Sequence, residues 1–307
     1  MNGVVLIDKP QGVTSFDVVR RLRRFYGTRQ VGHCGTLDPL ATGLLPVAVG
    51  SATRLVEYLM ADEKEYLADF ALGAVTDTQD VTGRVLETRP WQHVTREALT
   101  AAARSLTGAI EQTPPMYSAL KRDGVPLYKL ARQGVEIERA SRCVTISHLD
   151  LTAFTPPSAS IRVVCGKGTY IRTLVHDLGM LLGCGAHLTA LRRVRCGALE
   201  VADGHTLDEL QTLAESGKTL PLLAPAAALA GYPGVAVREC AWRRLANGVA
   251  PVMAEVDVAA ELSAGTLVRL LSNGQLAAMA SFAPGGAGGR PGDFALHKVF
   301  PEVILLA

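Results

Sequence analysis

Residues 32–43 read GHCGTLDPLATG, where one carboxylate, Asp38, stands before a proline among three glycines. A residue before proline is pushed toward extended backbone geometry, and glycines permit tight turns around it. The pattern fixes a short acidic side chain in one direction. It fits two roles: an Asx-type turn residue capping its own loop, or a general base or nucleophile. Cys34 beside His33 offers a thiol. Neighbours in a loop rarely face each other as nucleophile and base, so Cys34 reads as a small packed residue. Cys184-x-x-His187, with Cys196 beyond, has the spacing of half a zinc site, but no second close pair follows. A structural tetrahedral site usually shows two such pairs, so no metal is expected. Neither GxxxxGK[ST] nor a GxGxxG after a strand occurs, which argues against ATP and NAD and leaves no cofactor expected.

The elements that would position Asp38 follow from periodicity and punctuation. EYLADFALG (65–73) reads as a strand, followed by polar TDTQD and a short strand, GRVLE. TREALTAAARSLTG (95–108) predicts a helix capped by Thr95, with Glu97 in its first turn and Gly108 as its stop. Residues 114–142 hold three prolines, two tyrosines and six basic against three acidic residues, with little periodicity. That composition predicts a long insertion over the surface, and long loops in compact domains are often functional. SIRVVCG (160–166) reads as a strand, and KGTYIRTLVHDLGMLLG (167–183) as a helix with Ile171, Leu174, Val175, Leu178 and Leu182 on one stripe and Gly183 as stop. This strand–glycine turn–helix unit puts Tyr170 and Arg172 at a helix start, where backbone N–H groups favour an anion. Alternation over 265–282, with Asn273-Gly274 as a hairpin signal, predicts a small β domain. The order of elements points to an α+β fold with a mostly antiparallel sheet.

At 307 residues the chain is long enough for one large domain with a small companion. Its 48% hydrophobic and 20% charged composition is that of a soluble globular protein. A net charge of +2 does not by itself suggest a nucleic-acid partner. The distribution says more. Arg20, Arg21, Arg23, Arg24 and Arg29 face only Asp17, and Lys167, Arg172, Arg192, Arg193 and Arg195 face only Asp177, while residues 229–307 hold six bases and six acids. The opening MNGVVLIDKPQG has an apolar run of four residues before Asp8, too short for a signal peptide. Residues 220–237 carry no charge over 18 positions, but Pro221, Pro225, Gly231, Pro233 and Gly234 argue against a membrane span and for an apolar connector into a second domain. Six cysteines without a regular framework point to a reduced, cytoplasmic compartment.

VGHCGTLDPLATGLLPVAVGSATR (31–54) resembles the aspartate motif of the TruB family of tRNA pseudouridine-55 synthases. GVVLIDKPQGVTSFDVV (3–19) resembles the family's opening motif, KEYLADFALGAVTDTQDVTG (64–83) its tyrosine strand, and PPMYSALKRDGVPLYKLARQG (114–134) its RNA-gripping insertion. CGKGTYIRTLVHDLG (165–179) and GCGAHLTALRRVRCG (183–197) resemble its later active-site segments. The likeness is continuous over about residues 3–210. In the tail, NGVAPV (247–252) and LVRLLSNGQLAAM (267–279) resemble the small PUA-like RNA-binding domain that ends these enzymes. The resemblance implies a pseudouridine synthase catalytic domain over 1–228, with an RNA-binding insertion at about 114–142, and a β-rich PUA-like domain over 229–307. It implies Asp38 as the catalytic aspartate, Arg172 as the partner that holds it ionised and oriented, and Tyr66 as the ring that stacks on uracil. Tyr170 and Leu191 would wall the pocket, and His33 would stack among the displaced nucleotides. Arg20, Arg24, Lys121, Arg122, Lys129, Arg132, Arg192 and Arg193 would meet phosphates. The implied partner is the T-arm of tRNA, bound by a monomer with no obligatory protein partner and no membrane.

One carboxylate suffices for such a reaction. Glycoside hydrolysis usually takes two, one to protonate the leaving oxygen and one to activate water or attack the sugar. Isomerising uridine adds no water: uracil can leave as a delocalised anion, turn in the pocket and attack through carbon 5. A closed pocket must hold the free base and exclude water, and the base must first leave its stack. Three other readings remain at this point: a non-catalytic RNA-binding or RNA-folding protein on the same scaffold, a synthase acting on another RNA, and a metal-dependent hydrolase using His33, Cys34, Cys184 and His187.

Overall fold

Alternation and continuous apolar runs sort most strands into two large sheets, beside two small two-stranded ones (Ala74–Thr76 with Val85–Thr88, Lys121–Arg122 with Val125–Pro126), in a computed structural model that describes residues 2–60, 63–122, 124–286 and 292–304. The larger sheet has nine strands: β1 (Gly3–Lys9), β2 (Val31–His33), β3 (Thr42–Val49), β4 (Lys64–Leu72), β5 (Gly108–Gln112), β6 (Arg142–Thr155), β7 (Ser158–Cys165), β8 (Ala186–Cys196) and β9 (Leu199–Glu200). Their order is β1-β3-β8-β4-β7-β6-β5, with β2 paired to β3 and β9 to β8. All these pairs are antiparallel except β3 with β8. β4 alternates as the sequence suggests, sending Tyr66, Ala68, Phe70 and Leu72 inward. β1 is buried along both faces. Its edge away from β3 meets the apolar connector, where Val4 and Leu223 exchange backbone hydrogen bonds of 2.9 and 2.8 Å.

Four helices cover the other face: α1 (Ser15–Phe25), α2 (Arg96–Ser105), α3 (Ile171–Leu181) and α4 (Leu207–Glu215). Thr14 and Thr206 start α1 and α4 with capping boxes, and the Thr95 side chain accepts from the Ala98 amide to start α2. The α2 stop differs from expectation. The helix ends at Ser105, and Gly108, at φ +99°, opens β5 instead. In α3 the expected residues Ile171, Leu174, Val175 and Leu178 are buried, and Gly183 follows at φ +74°.

The 114–142 segment is only partly a surface excursion. Pro114 to Met116 and Ser118 are buried, while Lys121, Arg122, Lys129 and Arg132 are exposed around a short helix, Leu127–Arg132. The second sheet runs β11-β10-β12-β13-β14, from β10 (Gly234–Val237), β11 (Val256–Val258), β12 (Leu267–Ser272), β13 (Gln275–Phe282) and β14 (Phe294–Val299). Asn273 at φ +47° and Gly274 at φ +76° turn β12 into β13, the two left-handed positions of a tight hairpin. Of the glycine-rich stretch 284–293, residues 287–291 lie outside the described residues. Leu276, Met279 and Phe300 of the tail share one buried cluster with Val4, Leu6, Leu44 and Ala48 of β1 and β3. Among the described residues, no helix is long and apolar enough to cross a membrane.

Candidate active site

Asp38 sits in the loop between β2 and β3, and the chain holds that loop from several sides. The Ser15 hydroxyl and Leu37 backbone exchange hydrogen bonds of 2.9 and 3.1 Å, Gly12 N–H donates to Pro39 O at 2.8 Å, and Cys34 N–H to Pro46 O at 2.8 Å. Cys34 is fully buried and its thiol is pushed up to about 12 by burial, so it packs the loop and carries no nucleophile. The loop runs out into β3 through Gly43, at φ +95°, where a Cβ would lie 2.2 Å from the Arg193 carbonyl oxygen. Only glycine lets β3 and β8 approach this closely.

The Arg172 side chain is 4% exposed, and each of its three guanidinium nitrogens donates a hydrogen bond. Nε donates to Asp38 Oδ2 at 2.9 Å, Nη1 to Thr78 O at 2.8 Å and Nη2 to Tyr117 O at 2.8 Å. One side chain thus ties the aspartate loop, the 76–83 turn and the root of the insertion together. A second carboxylate, Asp80, lies 3.8 Å from the same Nε and is 7% exposed. Its Oδ1 accepts from Thr78 Oγ1, Thr82 N and Thr82 Oγ1 at 2.8, 2.9 and 2.6 Å. Asp38, by contrast, keeps 40% of its side chain exposed. The buried acid anchors the arginine and the exposed one faces the cavity.

That cavity, about 340 Å³, is lined by Asp38, Tyr66, Tyr170, Arg172 and Leu191, five of the six residues expected at the site. Tyr66, 8% exposed, faces Arg193 across the β4–β8 ladder. Burial pushes its phenol up to about 12, with the Arg193 charge pulling the other way. Tyr170 is the N-cap of α3. Its side chain makes no cap, and the Gln112 amide holds its backbone instead, accepting from Tyr170 N at 2.8 Å and donating to Tyr170 O at 3.1 Å. His33 lies on β2 and is not among the residues lining the cavity. Its ring is disfavoured as a cation by burial and then by Arg193.

The basic residues divide. Arg20, Arg24, Lys121, Arg122, Lys129 and Arg132 are exposed. Arg20 pairs with Asp17 at 3.0 Å, and Arg192 forms a two-pronged pair with Asp8 at 3.0 and 2.7 Å. Arg193 overturns the expectation of a surface phosphate contact. It is 1% exposed and spends Nε on Leu44 O at 2.7 Å and Nη2 on Gly35 O at 3.1 Å, beneath the aspartate loop. β8 is a strand, so neighbouring arginines point to opposite faces. Sequence reading also misses Lys9, which is fully buried, with Nζ on Pro10 O at 2.9 Å and Val13 O at 2.8 Å. Burial draws its ammonium down to about 8, while the Asp38 charge acts the other way. The half zinc motif disperses: Cys184 and Cys196 pack in separate clusters, and His187 Nδ1 lies 3.3 Å from Ala74 O.

Residues 23–171 match the TruB family pseudouridylate synthase N-terminal domain, and residues 172–226 the tRNA pseudouridylate synthase B C-terminal domain. The chain is 47% identical over 302 residues to tRNA pseudouridine synthase B of Syntrophotalea carbinolica, covering 98% of this chain and 99% of that protein. It is 44% identical over 283 residues to the protein of the same name from Geobacter sulfurreducens, covering 91% and 93%. Among solved structures, a Cbf5–Nop10–Gar1 complex contains a chain that superposes with TM-score 0.75 at 26% identity, over 98% of this chain and 86% of that one.

Proposed function

This chain belongs to the TruB family of pseudouridylate synthases, and we propose that it isomerises uridine to pseudouridine in tRNA, at position 55 of the T loop. The observation that carries this reading is the 2.9 Å pair of Asp38 and Arg172, 134 positions apart in sequence, at a cavity walled by Tyr66, Tyr170 and Leu191. The cavity presents Lys64, Arg142, Lys167, Arg172 and Arg193 against the single acid Asp38, which suits a polyanionic substrate.

In the reaction the flipped uridine enters with its base against the tyrosines. Asp38 acts on the sugar or base, by attack or by taking a sugar proton. The C1′–N1 bond breaks and uracil leaves as an anion. The base turns and C1′–C5 forms as the bond to Asp38 breaks or Asp38 returns the sugar proton, the C5 proton leaves to solvent and N1 takes up a proton. Arg172 keeps the carboxylate aimed through both halves of the reaction, and orientation of this kind is a large share of catalysis. Burial holds the Tyr66 phenol protonated in the free site, with the Arg193 charge opposing it, so the ring enters the reaction as a proton donor. Residues 1–228 would act as the catalytic domain. The exposed bases of α1 and the 114–142 insertion, with the PUA-like tail 229–307, would hold tRNA phosphates. The chain would act in the cytoplasm as a monomer, without cofactor, metal or protein partner.

The test is tritium release from tRNA labelled at carbon 5 of uridine, with wild type and Asp38→Asn. Release of about one tritium per tRNA, as loss of the single C5 hydrogen at one uridine requires, should map to position 55 and vanish in the variant. No release by wild type with tRNA binding retained would leave an RNA-binding protein on this scaffold.

A further inference from the structure

Four arginines and lysines at the cavity other than Arg172 differ sharply in what they have left to give. Arg193 is buried and committed to two backbone carbonyls. Arg142 is half-buried, its Nη2 donates to Gly168 O, and its Nε is buried without a hydrogen-bond partner among the described residues. Its guanidinium carbon lies 5.0 Å from the centre of the Tyr170 ring. An unpaired buried donor is a standing cost, and the ring it covers is one that lines the cavity.

We propose that Arg142 is a substrate-positioning residue: it gives up the face of Tyr170 to the incoming uracil and takes a phosphodiester flanking the flipped nucleotide. The proposal rests on the isomerase reading above. A base and a guanidinium compete for the same aromatic face, since both stack on it. Phosphate is the better partner for the displaced guanidinium, because it offers charged oxygens to donors that now have one carbonyl or none. The placement in the chain fits. Arg142 is the first residue of β6, at the end of the insertion, and its cross-strand partner is Gln112 at the end of β5. Gln112 fixes the Tyr170 backbone and Arg142 covers its ring, so both roots of the insertion grip the turn that carries Tyr170.

The experiment is a cycle between protein and RNA. Single-turnover rates would be measured for wild type, Arg142→Lys and Arg142→Ala on a T-arm hairpin with the natural backbone or with a neutral methylphosphonate on either side of the target uridine. One methylphosphonate should slow wild type by about 10- to 100-fold, the range of a lost charge-assisted contact. Arg142→Ala should be slowed comparably and then respond less than about threefold to the same substitution, as expected for a perturbation already made. Arg142→Lys, which keeps the charge without the fork, should fall between. Indifference of wild type to both methylphosphonates, a change in the RNA that cannot unfold the protein, would overturn the proposal. So would an Arg142→Ala protein as sensitive as wild type. Absence of product from wild type on natural RNA would instead defeat the isomerase reading, and the same cycle read in binding affinity would still decide the role of Arg142.

Discussion

Arg172→Lys separates charge from geometry at the site. The substitution keeps a positive charge but replaces three fixed donors with one ammonium on a shorter reach. Arg172 now serves Asp38, Thr78 O and Tyr117 O at 2.8–2.9 Å from within a 4% exposed position. A lysine can satisfy one of them well. Each abandoned bond to a charged donor is worth about 1.5–3 kcal/mol in isolation, and part is recovered by relaxation and by water entering beside Asp38. The two carbonyls belong to loops that this arginine pins, so their loss should appear as about 2–4 kcal/mol of folding stability. Looser aim of Asp38 should appear separately, as a fall of about 100- to 1000-fold in the single-turnover rate. Urea unfolding and rapid-quench tritium release measure the two effects. An Arg172→Lys protein within about fivefold of wild type in rate, with an unchanged unfolding midpoint, would refute the argument that the fork and not the charge is what matters.

Asp80→Asn keeps an oxygen for Thr78 and Thr82 but removes the charge 3.8 Å from Arg172. With about 4 kcal/mol of attraction at an effective dielectric near 20, partly offset by easier burial, stability should fall by about 2–3 kcal/mol, with tRNA affinity retained in filter binding. Asp177 is half-buried, and burial raises its carboxyl to about 6. The folded state therefore holds the proton more tightly than the unfolded one, and stability declines as pH rises from about 4 to 6. Asp177→Asn should gain about 1–3 kcal/mol at pH 7 and nothing at about pH 3.5 in urea titrations, and an equal gain at both would contradict this origin. Gly43→Ala places a Cβ 2.2 Å from Arg193 O at φ +95°, and should cost at least about 2 kcal/mol by overpacking and backbone strain, lowering the melting temperature before any effect on chemistry can be read.

The α+β class, the strand at 64–72, the helix after the glycine turn and the Asn273-Gly274 hairpin were legible because each rests on a local pattern. The Asp38–Arg172 pair was legible only through resemblance, since nothing local links a loop to a helix start 134 positions away. Arg193 was misread because Arg192 to Arg195 looks like one basic patch when counted and like two faces when folded as a strand. Asp80 advertised its neighbours, Thr78 and Thr82, but not the arginine it anchors. Lys9 gave no signal of its own, because the carbonyls of Pro10 and Val13 that hold its ammonium in a buried position depend on how the chain turns after β1.

The cluster shared by the two sheets has a consequence for synthesis. Val4 and Leu6 of β1 are covered by Leu276, Met279 and Phe300, which come some 270 positions later. At ordinary elongation rates that is a delay on the order of tens of seconds, during which an apolar edge next to the Asp38 loop stands open. Contacts this distant in sequence are slow to form and exposed to misassembly. A nascent chain of this protein therefore leaves this apolar surface uncovered until the second sheet has been made, and its yield will depend on chaperone supply more than its folded stability suggests.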